Sequence, residues 1–225
     1  MSRALLLTGG LAALALSGAA LGAQIALYPT GPSQDSAYLR FVNVSASPLE
    51  LAPEGSKATL KLEAGKAATD FIPVPGGQPV KGSLSRDGKS VPLNVQVAAG
   101  DFATVFALSD DAQGIRQLVV NEPFDIPNQL KASLALFNAD PSCKEAKVNL
   151  AGRDADLFQK APEGNPKRQE FNPRPALAVQ LVCGGANVGA PLELGALEAN
   201  KRYSLLLVPG ASGPHLLSVA DAVAN

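Results

Sequence analysis

Hydrophobic residues along this 225-residue chain gather in short runs between turn residues, and no stretch carries the long i, i+3, i+4 stripe of an amphipathic helix. Ser36–Val44 is the first full run. Its β-branched, aromatic and aliphatic residues predict a strand. Leu49–Leu51, Ala58–Leu62 and Ala68–Val74 follow as further strands, set apart by Pro53–Glu54–Gly55 and Glu63–Ala64–Gly65–Lys66, whose composition marks turns. Val80–Ser85 and Ser90–Val97 flank Asp87–Gly88, a hairpin signal. Phe102–Leu108 is mainly apolar and reads as a central strand, turned by Asp110–Gly114 into Ile115–Val120.

A related pattern then returns. Lys131–Ala139 repeats an apolar run closed by asparagine, with Asn138 answering Asn43. Ala146–Leu150, Ala176–Val182, Leu192–Leu197, Tyr203–Val208 and His215–Val219 continue it, and Cys183–Asn187 matches the hairpin around Asp87–Gly88. Arg153–Arg168 is charged and has no apolar period, so it is expected as a loop or irregular edge, and Ser218–Ala224 as at most one helical turn. Turn signals every eight to twelve residues or so predict sandwiches. The expected fold is all-β: two tandem, immunoglobulin-like β-sandwich domains at 24–121 and 129–225. Between them Glu122–Asn128 carries two prolines and reads as a stiff linker holding a fixed relative orientation. Binding surfaces are expected in loops and in the groove beside that linker.

Met1–Ala23 has a positive start at Arg3, an uncharged Ala/Leu/Gly run and a small-residue end, which predict a signal peptide and hence a periplasmic location. A near-neutral net charge of −1 excludes a large nucleic-acid surface. With one histidine and two cysteines, no catalytic triad, zinc site or cofactor site is predicted. His215 reads as an exposed or edge residue, and Asp110–Asp111 and Asp154–Asp156 as solvated turn or loop carboxylates. Cys143 and Cys183 are an even pair in an exported chain and are expected to be bonded. Tryptophan is absent and there are three tyrosines, a poor supply of platforms for stacking on sugars. Tyr38 and Tyr203 are expected in or near the cores. Tyr28, beside Pro29 in an N-terminal segment, is the one candidate partner contact.

Ala26–Leu27–Tyr28–Pro29, a Gly/Pro/Ser turn, and then Ala37–Asn43 resemble the opening of the AlgF family, and Leu118–Phe124 resembles that family's inter-domain segment. The resemblance implies a periplasmic accessory protein of alginate O-acetylation, with no catalytic residues of its own. The partners it implies are periplasmic polysaccharide O-acetyltransferases, a membrane-bound O-acyltransferase and the polysaccharide itself, alginate or cellulose. Three alternatives stay open: an acyl-handling acetyltransferase subunit, a general polysaccharide-binding sandwich, and a fimbrial or chaperone-like pair of immunoglobulin domains offering an edge strand for pairing.

Overall fold

The computed structural model describes residues 36–63, 65–164 and 166–224. The expected signal peptide and Tyr28 lie outside the described residues. In the first half, β1 (Ser36–Asn43), β2 (Leu49–Pro53), β3 (Leu60–Leu62), β4 (Ile72–Pro75), β5 (Pro79–Arg86), β6 (Lys89–Gln96), β7 (Phe102–Asp110) and β8 (Gly114–Glu122) form two sheets. Their orders are β4-β1-β7-β8 and β3-β2-β5-β6. The second half holds β9 (Ala132–Asn138), β10 (Ala146–Leu150), β11 (Asp156–Ala161), β12 (Lys167–Phe171), β13 (Arg174–Cys183), β14 (Ala186–Leu197), β15 (Arg202–Val208) and β16 (His215–Ala220). Its sheets run β12-β9-β15-β16 and β11-β10-β13-β14, the same order with each strand advanced by eight.

The repeat extends to register. β1 pairs parallel with β7, placing Asn43 beside Ala107, and β9 pairs parallel with β15, placing Asn138 beside Leu207. Each asparagine then closes a turn in the same way, its Oδ1 accepting the N–H two residues on, from Ser45 and from Asp140. The hairpin at Asp87–Gly88 has both residues at positive φ, 52° and 76°, as a two-residue turn matched to strand twist requires. An immunoglobulin-type sandwich is built from antiparallel sheets; here a parallel pair lies at the centre of one sheet in each half.

The four sheets stack as layers. Alternation along β1 sends Ala37, Leu39 and Phe41 into a core shared with Leu49, Leu51, Leu84 and Leu93 of the facing sheet. The opposite face of β1 and β7 contributes Val42, Phe106 and Leu108 to another apolar interior, where they meet Ala135, Phe137, Leu206 and Val208 of β9 and β15. The second half has its own core of Leu134, Leu136, Val148, Phe158, Val179 and Leu205. Both inner sheets are therefore covered on both faces. This explains why β1, β7, β9 and β15 read as nearly continuous apolar runs rather than alternating ones. Each large side chain in the shared interior stabilises by about 1.5–3 kcal/mol. The halves are thus joined by a shared buried face as well as by the connector.

One expectation is met in its second form and one is corrected. Arg153–Arg168 is the irregular edge: it contains β11, an edge strand with a slipped register, and leads into β12, the edge of the other sheet. Its period of two was hidden because the pairing with β10 slips between Ala146, Val148 and Asn149 and Lys160 takes a positive φ of 46°. Ser218–Ala224 makes no helical turn. Its first residues finish β16, and the next ones bond across to the first half, where Phe71 donates its N–H to Ala222 O (2.8 Å) and accepts from Ala224 N (2.8 Å).

Candidate functional site

Where the inner sheets meet, apolar packing gives way to a cluster of charge. Arg40, between Leu39 and Phe41 on β1, is only 1 % exposed. Its Nη1 pairs with Asp221 Oδ1 at 2.8 Å. Its Nη2 donates to Thr104 Oγ1 (3.1 Å) and Ser204 Oγ (3.2 Å), and its guanidinium lies 4.4 Å from the centre of the Phe71 ring. Asp221 also accepts from Ser204 Oγ at 2.6 Å and Arg168 Nη2 at 3.0 Å. Arg168, on β12, makes a two-pronged ion pair with Glu122 at the end of β8 and reaches Ser133 Oγ at 3.1 Å. Arg202 Nη2 lies 3.3 Å from Glu122 Oε1, and its guanidinium sits 5.2 Å from the centre of the Phe102 ring.

Three guanidiniums thus share two carboxylates drawn from both halves. Burial pushes the Arg40 guanidinium below the ordinary arginine range, opposed by Asp221. Burial also works against charge on Arg168, but the Glu122 and Asp221 carboxylates outweigh it and hold that group above the ordinary range. Arg202 is lowered, first by burial and then by the neighbouring Arg168. A cluster so fully paired acts as a fastener between the halves, since each member is compensated only while the others stay in place.

The connector leaves this cluster at Glu122 and is tied at both ends. Phe124 donates its N–H to Asp101 Oδ1 (2.9 Å), and Asn128 donates its own to Glu170 Oε1 (2.8 Å). Between and beyond these ties the chain exposes large apolar side chains: Phe124, Ile126 at 83 % and Leu130 at 78 %. Phe102 stacks on Tyr38 at 4.8 Å and faces Phe124 at 6.3 Å. An aromatic row therefore runs from the interior to this exposed stretch.

The residues singled out from sequence are scattered over the molecule. His215 is exposed at the start of β16, its Nδ1 close over Gly210. Asp110 accepts the N–H groups of Ala112 (2.9 Å) and Gln113 (2.7 Å) within its own turn, while Asp111, Asp154 and Asp156 are exposed. Cys143 and Cys183 are joined, with Cα atoms 5.4 Å apart. Tyr38 and Tyr203 pack at the cores as expected: Tyr38 is buried, and Tyr203 packs against the second core while its Oη accepts from Glu198 N at 3.1 Å. Among the described residues no three His, Cys, Asp or Glu side chains gather as a metal ion would require. Sequence reasoning passed over the charge cluster itself, although one signal was available: Arg40 interrupts an apolar run, a placement that demands a buried partner.

The class of protein defined here is an all-β chain of two like sandwiches, each of four strands on four. No family model matches the sequence, and no curated protein matches it. Among solved structures it is similar to the C-terminal domain of AlgF from P. aeruginosa. The identity is 17 %, the match covers 40 % of this chain and 98 % of that one, and the TM-score is 0.34. A likeness of that size leaves function to be argued from the chain's own residues.

Proposed function

We propose that this chain is a non-catalytic accessory protein of exopolysaccharide O-acetylation, exported to the periplasm, where it bridges acetyltransferase components. The observation that carries the reading is the connector. Its opening, Leu118–Phe124, is the block that resembles the inter-domain segment of the AlgF family, and it leads into the exposed Phe124, Ile126 and Leu130. Apolar side chains on a backbone fastened at both ends suit protein association, because little ordering is left to be done on binding. The partner is a periplasmic polysaccharide O-acetyltransferase. A membrane-bound O-acyltransferase is the second component to be bridged, with alginate or cellulose as the polymer.

The test is capture of a purified periplasmic polysaccharide O-acetyltransferase by the mature protein, with the same preparation assayed on a chromogenic acetyl ester. Saturable capture is expected without ester turnover. Replacing Phe124 and Ile126 together by aspartate is expected to weaken capture by about tenfold or more, while leaving the far-ultraviolet spectrum unchanged. Ester turnover without capture would overturn the proposal in favour of an acyl-handling enzyme.

A further inference from the structure

The two halves repeat strand for strand, yet one place that is filled in the second is hollow in the first. A cavity of about 340 Å³ opens between the sheets of the first sandwich, lined by Leu39, Phe41 and Val74 from one sheet and Leu51, Leu60 and Leu93 from the other. The register identifies what fills the matching space in the second half. Leu60 pairs with Leu51 as Phe158 pairs with Val148, and Val74 pairs with Ala37 as Phe171 pairs with Ala132. Phe158 is buried and Phe171 packs against the same core. The first half therefore has a leucine and a valine where the second has two phenylalanines. Its edge strands are also shorter, with β3 of 3 residues and β4 of 4 against β11 of 6 and β12 of 5. Native interiors are close-packed, and the second half shows that this fold closes the space when its residues allow.

We infer that the cavity is a binding site for one unbranched alkyl or acyl chain ending in a carboxylate, a medium-chain fatty acid. At roughly 30 Å³ for each water- or methylene-sized group, the space takes a chain of about ten carbons. A sugar does not fit the chemistry: a hydroxyl buried among these side chains without a partner is penalised by about 2–7 kcal/mol. An acetyl group would leave most of the space empty. The head group is set by the mouth, where Thr59 and Lys81 lie. Lys81 is exposed and forms no salt bridge among the described residues, and Lys57, also exposed, immediately precedes the lining residues Ala58 and Thr59 in the loop entering β3. The acid in the same loop is Glu54, whose N–H is bound to Lys81 O at 3.0 Å. The balance of charge at the mouth favours an anion.

The inference is independent of the adaptor reading, which stands or falls on Phe124 and Ile126. The experiment titrates the mature protein, labelled at Ile, Leu and Val methyls, with decanoate and separately with decanol. Saturable shifts are expected at Leu51, Leu60 and Val74, at ligand concentrations below about 1 mM. Leu60→Phe with Val74→Phe, which installs the second half's filling, is expected to weaken binding by about tenfold or more. Lys81→Met is expected to weaken decanoate several-fold and leave decanol unchanged. The proposal is overturned if the wild-type methyls show no saturable shift. It is equally overturned if the filled variant, melting no lower than wild type, binds decanoate as well, or if the shifts map to the interior around Phe106 and Leu206. Should the filled variant fail to fold, the wild-type methyl map decides alone.

Discussion

The charge cluster between the sandwiches makes a quantitative prediction about which of its members matters most. Arg40→Met keeps the aliphatic bulk against Phe71 and Phe137 and removes one guanidinium. Asp221 then retains Arg168 Nη2 at 3.0 Å and Ser204 Oγ at 2.6 Å, and the remaining charges balance, two arginines against Glu122 and Asp221. The loss should fall at the low end of the range for breaking a buried pair, about 3 kcal/mol. Asp221→Asn does the opposite, leaving Arg40, Arg168 and Arg202 to share Glu122, and should lose about 5 kcal/mol. In the double variant the excess positive charge created by Asp221→Asn is relieved, so its loss should be smaller than the sum of the single losses by about 2 kcal/mol. Urea unfolding followed by far-ultraviolet circular dichroism measures all three, because the protein has no tryptophan to report by fluorescence. One transition is expected, since the halves share the interior around Phe106, Phe137 and Leu206. The reasoning is refuted if Arg40→Met loses under about 1 kcal/mol, if it is the more damaging of the two, or if the effects add.

Further expectations follow from single residues. Replacing Cys143 and Cys183 by alanine opens a loop with a sequence separation of 40, which by chain entropy lowers stability by about 4 kcal/mol; the reduced wild type should shift its urea midpoint to match. Arg86→Met removes donors from Asn43 Oδ1 and the carbonyls of Ala107, Leu108 and Gly114, and should lose about 3 kcal/mol in the same assay. Pro123→Gly with Pro127→Gly should lower stability by about 1–2 kcal/mol and leave the small-angle scattering profile unchanged; a larger radius of gyration would show that the connector, not the shared interior, holds the halves. Tyr38 Oη is buried with no hydrogen-bond partner among the described residues, so Tyr38→Phe should be neutral or stabilising by up to about 1 kcal/mol. A clear loss in thermal melting would show that the hydroxyl has a partner.

The strands, the repeat and the hairpins were legible in the sequence because turn residues punctuate them and because Asn43 and Asn138 close equivalent runs. What escaped is a consequence of how the runs themselves were read. In a lone sandwich each sheet keeps one wet face, and its strands alternate. Leu39, Arg40, Phe41 and Val42 do not alternate, and neither do Val105–Leu108 or Leu134–Phe137. Taken physically, that absence says both faces are covered, which two independent sandwiches do not provide. The run of charge from Arg153 to Arg168 was legible only as a loop or irregular edge, for the converse reason. It forms edge strands whose outer face is solvated, and a slipped register at Val148 breaks the alternation that Leu157 and Phe158 would otherwise have shown. The cavity was not legible at all, because it exists only as a difference between paired positions across two sheets.

The divergence of the two halves follows from how they meet. Equivalent residues face each other across the shared interior, as in a two-fold dimer. Phe102 and Arg202 occupy matching places and stack, and Glu122, the last residue of β8, is matched by Asp221, the residue that follows β16. A side chain on such an axis meets its own counterpart, and two guanidiniums cannot occupy one buried point. The structure has a single one there: Arg40 bridges Thr104 and Ser204, themselves equivalent, while the position that matches Arg40 is Ala135. Away from the axis no such constraint operates, and there the halves reach one end by different means. Arg86 and Cys183 both close the second hairpin of their sandwich. Arg86 fastens it by hydrogen bonds to the Asn43 side chain and the β7–β8 turn; Cys183 does so by a disulfide to the loop that follows Asn138. Asymmetry at the axis is forced by packing, whereas asymmetry at the hairpins is only a choice between equivalent fasteners. The hollow beside Leu60 and Val74 is neither, since Phe158 and Phe171 show that the fold accepts the filling, and a function for the space is the reading that accounts for its being left open.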